Sequence, residues 1–431
     1  MSGRWWMTAG AMIAVGLRPA PAAAQTPTSG FRASVAVTSV ADDNVMATPA
    51  GTTATTTAGG DATTGVVAGV TNPALPNRDL IMRVTPGLGF ARVGSQVTWS
   101  VDYSADAERY QTRTDLSQPL ARQGLTFSST YKATAHTSLV WTGAYTSTMN
   151  LAELNTATGL FTSGRARANQ WLGGSTVQHR MSEYSDLTAA YTLQRNTSPL
   201  LGQSWSHMLD VRLSHRTTPH TDTFLKLNGQ RFAFTQSALA GVPGTTLSMS
   251  ESLDGGWALH RDRTTLNLEG GALLSEGHVG PHVTLSLVQM MGPFSLTGGY
   301  TRSITSAIGL PAMVAYDSVQ AGLTFRPRGA APERALVIRV HGNASLNRLD
   351  TADRTQQLAV VQYTVDVVKP LTRVLSLTAG YDGSTQRSAG AFTPAPDPAT
   401  GAIAGPISFL SLVPRHRLSI TLAFSPWSAR R

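Results

Sequence analysis

The segment from Asp79 to Tyr110 limits the possible folds of this chain more than any other. It reads DLIMRVTPGLGFARVGSQVTWSVDYSADAERY, with apolar residues at alternate positions in two arms, Leu80–Phe90 and Val97–Tyr103. Val93-Gly94-Ser95 lies between the arms and has the composition of a tight turn. Because successive side chains of a strand point to opposite faces, the segment predicts an antiparallel hairpin with one apolar and one polar face.

Similar alternating segments recur along the chain, and no helical period of comparable length interrupts them. The arms are closer to the ~9–11 residues that cross a bilayer at a tilt than to the ~5–6 of an ordinary strand. We therefore predict about eighteen strands, within a range of roughly 16–18. The predicted strands are Phe31–Ser39, Asp79–Arg92, Ser95–Ala105, Gln123–Lys132, Thr137–Thr146, Asn169–His179, Asp186–Gln194, Ser206–His215, Thr221–Gln230, Thr246–Leu259, Thr264–Leu273, His282–Met290, Phe294–Arg302, Asp317–Arg326, Ala335–Asn343, Leu358–Val368, Val374–Asp382 and Arg417–Phe424.

The connections between these strands alternate between short and long. Ala133–His136 is one of the short ones, and Ser147–Ala168 is one of the long ones. Outer-membrane barrels show this alternation, with short periplasmic turns, long extracellular loops and, for an even strand number, both termini in the periplasm. Met46–Asn77 is a low-complexity segment rich in Thr, Gly and Ala, which predicts an extracellular loop. This segment and Gly383–His416 are long enough to fold into the lumen.

The N-terminus has the composition of a secretory signal peptide. Arg4 provides a positive charge, Trp5–Leu17 a short apolar core, and Ala22-Ala23-Ala24 a small-residue cleavage site. We predict a signal peptide over residues 1–24 and a single outer-membrane barrel domain over residues 25–431. A membrane anchor is the alternative, although the apolar core is short for a membrane span.

The net charge is positive and is carried almost wholly by arginine. The formal net charge is +9, and Lys132, Lys226 and Lys369 are the only lysines. A basic chain can bind nucleic acid, but the sequence has no basic run and no recognition-helix pattern, so we expect no nucleic-acid partner. An arginine-lined aqueous surface that favours anions is the better interpretation. The absence of cysteine excludes disulfides and thiolate metal sites.

Two other all-β folds also need many strands. A β-propeller would show a repeat of ~40 residues and a β-helix a shorter repeat, and the sequence shows neither. A closed barrel fits the pattern because it places the apolar faces in lipid and the polar faces around water. The predicted fold class is therefore all-β, a transmembrane antiparallel up-and-down β-barrel.

The first part of the chain also carries a family resemblance. Asp42-Asp43-Asn44 ends the first predicted strand, and a long loop, TPGLGF, a tight turn and VDYSADAERY follow. Over roughly Phe31–Tyr131 this order resembles the β-barrel porin 2 type of outer-membrane protein. The resemblance implies an outer-membrane barrel associated with loci for exopolysaccharide synthesis and export. One departure is the C-terminus, where Phe424 is followed by SPWSARR, whereas similar barrels usually end on an aromatic residue.

Catalytic motifs are absent from the sequence, which has no HExxH, no P-loop and no nucleophile elbow. A group of histidines and aspartates surrounds one predicted turn, and consists of His207, Asp210, His215, His220 and Asp222. Nothing marks a serine nucleophile beside them, so solvated turn residues are the better interpretation. Asp42-Asp43, or Asp106 with Glu108, could hold Ca²⁺ in a loop, but such ligands are sparse. We therefore expect no enzymatic activity, no cofactor and no metal.

The polar parity of the strands predicts the residues that line the lumen. They carry both signs of charge, which in a barrel tunes selectivity, and the alternative is that they only solvate the wall and pair with each other. The candidate pore-lining residues are Arg83, Asp102, Asp210, Arg212, Lys226, Glu269, Arg339, His341, Asp366 and Arg417.

The sequence as a whole therefore predicts an outer-membrane channel that passes polysaccharide or other hydrophilic, anionic solutes. A general diffusion porin for small solutes, and a structural or adhesive barrel that acts through its surface loops, are the alternatives. The expected partners are outer-membrane lipid and lipopolysaccharide, the barrel assembly machinery and a periplasmic polysaccharide-export protein.

Overall fold

The chain forms one closed antiparallel β-sheet in the computed structural model. The structure describes residues 29–45, 78–149, 154, 158, 167–198, 202–235, 245–275, 278–306, 313–327, 335–351, 354–389 and 412–425. The first half of the ring contains β1 (Gly30–Asp42), β2 (Asp79–Val93), β3 (Val97–Tyr110), β4 (Gln118–Lys132), β5 (Thr137–Thr148), β6 (Ala168–Arg180), β7 (Ser185–Ser198), β8 (Gly202–Thr218) and β9 (Thr221–Thr235). The second half contains β10 (Thr245–Arg261), β11 (Thr264–Ser275), β12 (His278–Met291), β13 (Phe294–Ser306), β14 (Met313–Phe325), β15 (Val337–Thr351), β16 (Arg354–Pro370), β17 (Leu375–Ala389) and β18 (Leu412–Phe424).

Each strand pairs with its neighbours in sequence, and the pairing of β1 with β18 closes the ring of 18 strands. The closing register runs from Val35 opposite Phe424 to Asp42 opposite Arg417. Closure removes the free strand edges, so the backbone polar groups find partners within the sheet. The predicted all-β, antiparallel up-and-down barrel is therefore confirmed. In the described part of the chain, no helix is both long and apolar enough to cross a membrane.

The outer wall of the barrel is apolar. Leu225 and Leu253 are each 55% exposed, and Leu227, which lies opposite Leu253 in the sheet, is 53% exposed. Soluble proteins rarely expose a continuous apolar band, whereas lipid accommodates one. The parity that the sequence marks as apolar is thus the outer face, and the polar parity is the inner face.

Several short turns share one construction. The N–H of the first turn residue donates to the carbonyl of the next strand's first residue, as from Ala133 to Thr137 at 3.0 Å. The side chain of the second turn residue then accepts a backbone N–H: Thr134 Oγ1 accepts from Thr137 at 2.9 Å, and Thr372 Oγ1 accepts from Leu375 at 3.0 Å. The hydroxyl therefore satisfies backbone donors that the turn would otherwise leave to solvent.

We call the end of the barrel with the short turns the turn end, and the opposite end the loop end. At the turn end, β5 begins at Thr137 and β11 at Thr264, as predicted. At the loop end the strands run further than predicted, since β15 ends at Thr351 instead of Asn343 and β17 at Ala389 instead of Asp382. The predicted long loop Gly383–His416 is shorter for the same reason. The predicted signal peptide over residues 1–24 and the predicted loop over residues 46–77 lie outside the described residues, as do the terminal residues 426–431.

Candidate functional site

The inner wall of β8–β12 carries a connected set of charged side chains. Lys226 on β9 lies at its centre, with its Nζ 3.3 Å from Asp210 Oδ2 on β8 and 3.0 Å from Glu269 Oε1 on β11. The side chains of Lys226 and Asp210 are about three-quarters buried and that of Glu269 more so. A buried charge is costly unless it is paired, so the alternating signs hold these side chains against the wall.

A second contact extends this set to β12. Asp254 on β10 is fully buried; its Oδ2 accepts a hydrogen bond from Ser252 Oγ at 2.7 Å, and its Oδ1 lies 2.7 Å from His282 Nδ1. Gly271 on β11 lies opposite both Asp254 and His282 in the sheet register. A Cβ on Gly271 would lie 2.5 Å from Asp254 Oδ1 and collide with the carbonyl of Leu253. The glycine therefore allows the Asp254 carboxylate to reach across β11.

An aromatic ring anchors the other side of the set. The Cζ of Arg212 on β8 lies 3.7 Å from the ring centroid of Phe224 on β9. The Phe224 ring in turn covers Gly256, where a Cβ would overlap with it. A guanidinium over an aromatic face is attractive, and more so when it is desolvated. We call this continuous set the lumenal charge layer, and it consists of Asp210, Arg212, Phe224, Lys226, Asp254, Glu269 and His282.

A separate charged group lies on the inner wall of β2 and β3. Arg83 Nη2 lies 2.5 Å from Glu108 Oε1, and Arg83 Nε lies 3.7 Å from Asp106 Oδ2. The Tyr110 hydroxyl donates to Glu108 Oε2 at 3.0 Å, and Thr85 Oγ1 donates to Asp106 Oδ1 at 2.8 Å. Asp106 and Glu108, considered above as calcium ligands, are thus partners of an arginine.

Two further ion pairs lie beside this group. Asp42, the other calcium candidate, accepts hydrogen bonds from the guanidinium of Arg415 on β18, with both of its oxygens 3.1 Å from Arg415 Nε. Asp102 on β3 lies 2.9 Å from Arg32 on β1, and both side chains are about half exposed. These pairs link β1 to β18 and to β3.

Thr158, which lies between β5 and β6 in the sequence, contacts the opposite wall of the barrel. The carbonyl of Thr158 accepts hydrogen bonds from Ser345 Oγ and from Asn347 Nδ2 on β15, both at 3.0 Å. In the strand order of the ring, β15 lies diametrically across from β6. Thr158 and Asn347 are almost fully buried, as is Leu154. Thr158 therefore lies against the inner face of β15, across the barrel from the two strands that flank it in sequence.

All ten candidate residues predicted from polar parity lie on the inner face. The lumenal charge layer brings together Asp210, Arg212, Lys226 and Glu269. The others belong to neighbouring groups: Arg83 pairs with Glu108, Asp102 with Arg32, Arg339 lies opposite Asp366, the His341 ring packs beside Gly322, and Arg417 lies opposite Asp42 and Asp382.

The histidine and aspartate group that the sequence places around one turn does not assemble into a site. His207 Nδ1 lies 2.7 Å from the Tyr191 hydroxyl, and His215 Nδ1 lies 3.0 Å from Ser185 Oγ. Both histidines share the outer parity of β8, whereas Asp210 and Asp222 lie on the inner face. The strand geometry therefore separates the imidazoles of His207 and His215 from the two carboxylates.

Sequence reasoning missed Asp254, His282, Ser345, Asn347 and Thr158. Asp254 and His282 lie on the polar parity of their strands, so parity alone could have added them to the lining. The hydrogen bonds to Thr158 have no local sequence signal, because they join segments that are distant in the chain.

No model of a known protein family matches the sequence, and no curated protein matches it. Similar solved structures include the siderophore receptor PirA from Pseudomonas aeruginosa, with 10% identity and a TM-score of 0.42 over 93% of this chain and 81% of that chain. A variant of the ferric enterobactin receptor PfeA from the same organism has 8% identity and a TM-score of 0.41 over 93% of this chain and 81% of that chain. OpdQ from Pseudomonas aeruginosa has 9% identity and a TM-score of 0.42 over 92% of this chain and 97% of that chain. Similarity at this level gives no information on the substrate. The barrel fold is assigned from the closed strand pairing of this chain itself.

Proposed function

We propose that the protein is an outer-membrane channel for hydrophilic solutes, with polysaccharide as the foremost substrate. The observation that carries the proposal is a closed ring of 18 strands with an apolar outer wall and a charged inner wall. Barrels of ~16–18 strands enclose an aqueous channel. On this proposal the candidate residues line that channel, the short turns face the periplasm, and both termini lie there.

The mixed signs of the inner wall favour a hydrophilic polymer over a small ion of one charge. Lys226 is paired with two carboxylates, and Arg83 also lies between two carboxylates. Paired charges leave a polar surface with many donors and acceptors but a weak net field. Sugar hydroxyls can exchange hydrogen bonds with such a surface. The anion preference that the arginine-rich composition suggests is therefore proposed to be modest.

The position of Thr158 supports a restricted channel instead of a wide one. Hydrogen bonds from Ser345 and Asn347 hold its carbonyl against the far wall. A residue held on the inner face of β15 reduces the free cross-section of the lumen there. A single extended polymer strand then fits the channel better than a folded cargo.

Deletion of the gene, followed by carbohydrate assay of separated periplasmic and surface fractions, tests the proposal. We expect surface polysaccharide to fall and sugar polymer to accumulate in the periplasm. Complementation with the intact gene is the control.

Unchanged surface polysaccharide would contradict the export role. Slower uptake of small hydrophilic solutes in the same strain would then favour a general diffusion porin. If uptake is also normal, exchange of the surface loops tests a structural or adhesive barrel.

A further inference from the structure

One corner of the lumenal charge layer has the composition of a metal site. One ligand atom from each of Asp254, Glu269 and His282 lies within 4.8 Å of the other two. His282 Nδ1 lies 2.7 Å from Asp254 Oδ1 and 3.8 Å from Glu269 Oε1. An imidazole with two carboxylates suits a divalent first-row transition metal.

The ligands come from three adjacent strands with little freedom to move apart. Glu269 and His282 are on neighbouring strands, and Asp254 reaches over Gly271 to join them. Bonds of ~2.0–2.2 Å to one ion need ligand atoms roughly 3 Å apart. The two separations from His282 Nδ1 differ from that spacing by less than about 1 Å, which side-chain rotations can supply without a change in the strands.

Residues around the ligands orient them as an outer coordination shell does. Ser252 Oγ donates to the Asp254 oxygen that faces away from His282, at 2.7 Å. Lys226 Nζ donates to Glu269 Oε1 at 3.0 Å and also lies 3.3 Å from Asp210. Such partners fix the direction of ligating carboxylates.

The local charge also favours a cation. The layer contains three carboxylates, from Asp210, Asp254 and Glu269, against the cations of Lys226 and Arg212. The carboxylates outnumber the lysine and the arginine by one, and Asp254 is fully buried. A buried carboxylate that lacks a full counter-charge is costly. The side chains of His282 and Glu269 keep 10% and 12% exposure, which gives an ion access from the lumen.

We propose that Asp254, Glu269 and His282 form a binding site for a divalent transition-metal ion, such as Zn²⁺, on the inner wall of the barrel. The site is additional to the proposed channel function, and the two proposals are tested by separate experiments. It also departs from the sequence-based expectation of no metal, because the strand register, and not the spacing along the chain, brings the ligands together.

Isothermal titration calorimetry tests the proposal. The full chain is purified in detergent, stripped of metal and titrated with Zn²⁺. We expect one Zn²⁺ per chain, and affinity at least about tenfold weaker in His282→Ala and in Asp254→Asn. His207→Ala is the matched control, because that imidazole lies on the outer face, and its affinity should equal that of the original protein. Co²⁺ should give a visible d–d absorption that is lost in His282→Ala.

Mobility shift on heating in a denaturing gel checks that every variant forms the barrel. The proposal is overturned if folded protein binds no Zn²⁺, or if His282→Ala binds it as tightly as the original chain. Either result would leave the three side chains as an internal ion network, and the channel experiment would be unaffected.

Discussion

Two regions of the outer face differ in how far they follow the apolar pattern, namely the turn end of β13 and β14 and the loop end of β17. At the turn end of β13 and β14, apolar residues continue to the last paired position, at Phe294 and Phe325, which lie opposite each other and are in ring contact at 4.9 Å. At the loop end, the outer parity of β17 continues through Gly383 and Thr385 to Arg387. The backbone pairing nevertheless goes on, with Arg387 opposite Leu412 on β18.

This difference shows that the paired length of a strand in this barrel can exceed the length that lies in the membrane. The apolar stripe marks the part of each strand that lipid contacts. Beyond it, strand pairing is maintained by backbone hydrogen bonds and by side-chain pairs such as the Tyr381 hydroxyl with His416 Nδ1 at 2.9 Å. The loop end of β17 and β18 therefore projects as a polar rim above the apolar band.

The largest expected effect comes from a charge placed inside that band. Leu253→Arg, in the middle of β10, should lower the free energy of unfolding by about 2–4 kcal/mol, because the guanidinium would lie in hydrocarbon. Thr385→Arg, on the outer face of the rim, should cost only about 0–1 kcal/mol. Denaturant titration of the barrel in lipid vesicles measures both. Equal costs would break the distinction between the band and the rim.

The next effect concerns the inner wall midway between the two ends. Gly271→Ala should cost about 2–3 kcal/mol, because the new Cβ would displace the Asp254 carboxylate and strain the backbone at Leu253. Gly255→Ala is the control, since nothing lies within 4 Å of a Cβ there, and it should stay within about 0.5 kcal/mol. The same denaturant titration in lipid vesicles measures both variants. If Gly271→Ala leaves the free energy of unfolding unchanged, the lumenal charge layer is not tightly packed.

A smaller effect is expected where the loop segment meets β15. Asn347→Ala removes one donor to the buried carbonyl of Thr158 and should cost about 1–3 kcal/mol. Channel conductance should rise in the same variant, because Thr158 is held less firmly against the inner wall. Asn267→Ala, which breaks a 3.2 Å hydrogen bond to Ser286 elsewhere, is the matched control and should leave conductance unchanged. A conductance increase in both variants would point to general loosening of the barrel.

The smallest effect is expected at the turns. Thr134→Ala and Thr372→Ala each remove a hydroxyl that accepts backbone N–H groups, at a cost of about 0.5–1.5 kcal/mol. Serine at either position should restore most of the stability, because it keeps the acceptor. Thermal unfolding of the four variants makes the comparison. If alanine is tolerated without loss, solvent satisfies these donors as well as the hydroxyl does.

Most of the fold could be predicted because its rules are local. Alternation at Leu225 and Leu227 is enough to assign a strand and its lipid face, and the short turns fix where one strand ends and the next begins. The loop ends could not be placed, because positions such as Thr385 and Arg387 lack the apolar alternation while the backbone remains paired.

The candidate site could be predicted only in part, because contacts between strands are not encoded locally. Parity places Lys226 and Glu269 on the inner face, but their contact depends on the register across β10, which no local pattern encodes. The loop expectation is not tested at 46–77 and 390–411, which lie outside the described residues. Length alone drew attention to 46–77 and 383–416, whereas the described contact across the barrel is made by Thr158.

Single-channel recording of the purified protein in a planar lipid bilayer tests the central claim most directly. The account predicts discrete conductance steps with weak ion selectivity, reduced when a soluble polysaccharide is added and enlarged in Asn347→Ala. A bilayer that stays insulating after verified insertion of folded protein would contradict it, since the barrel would then enclose no continuous path for hydrophilic solutes.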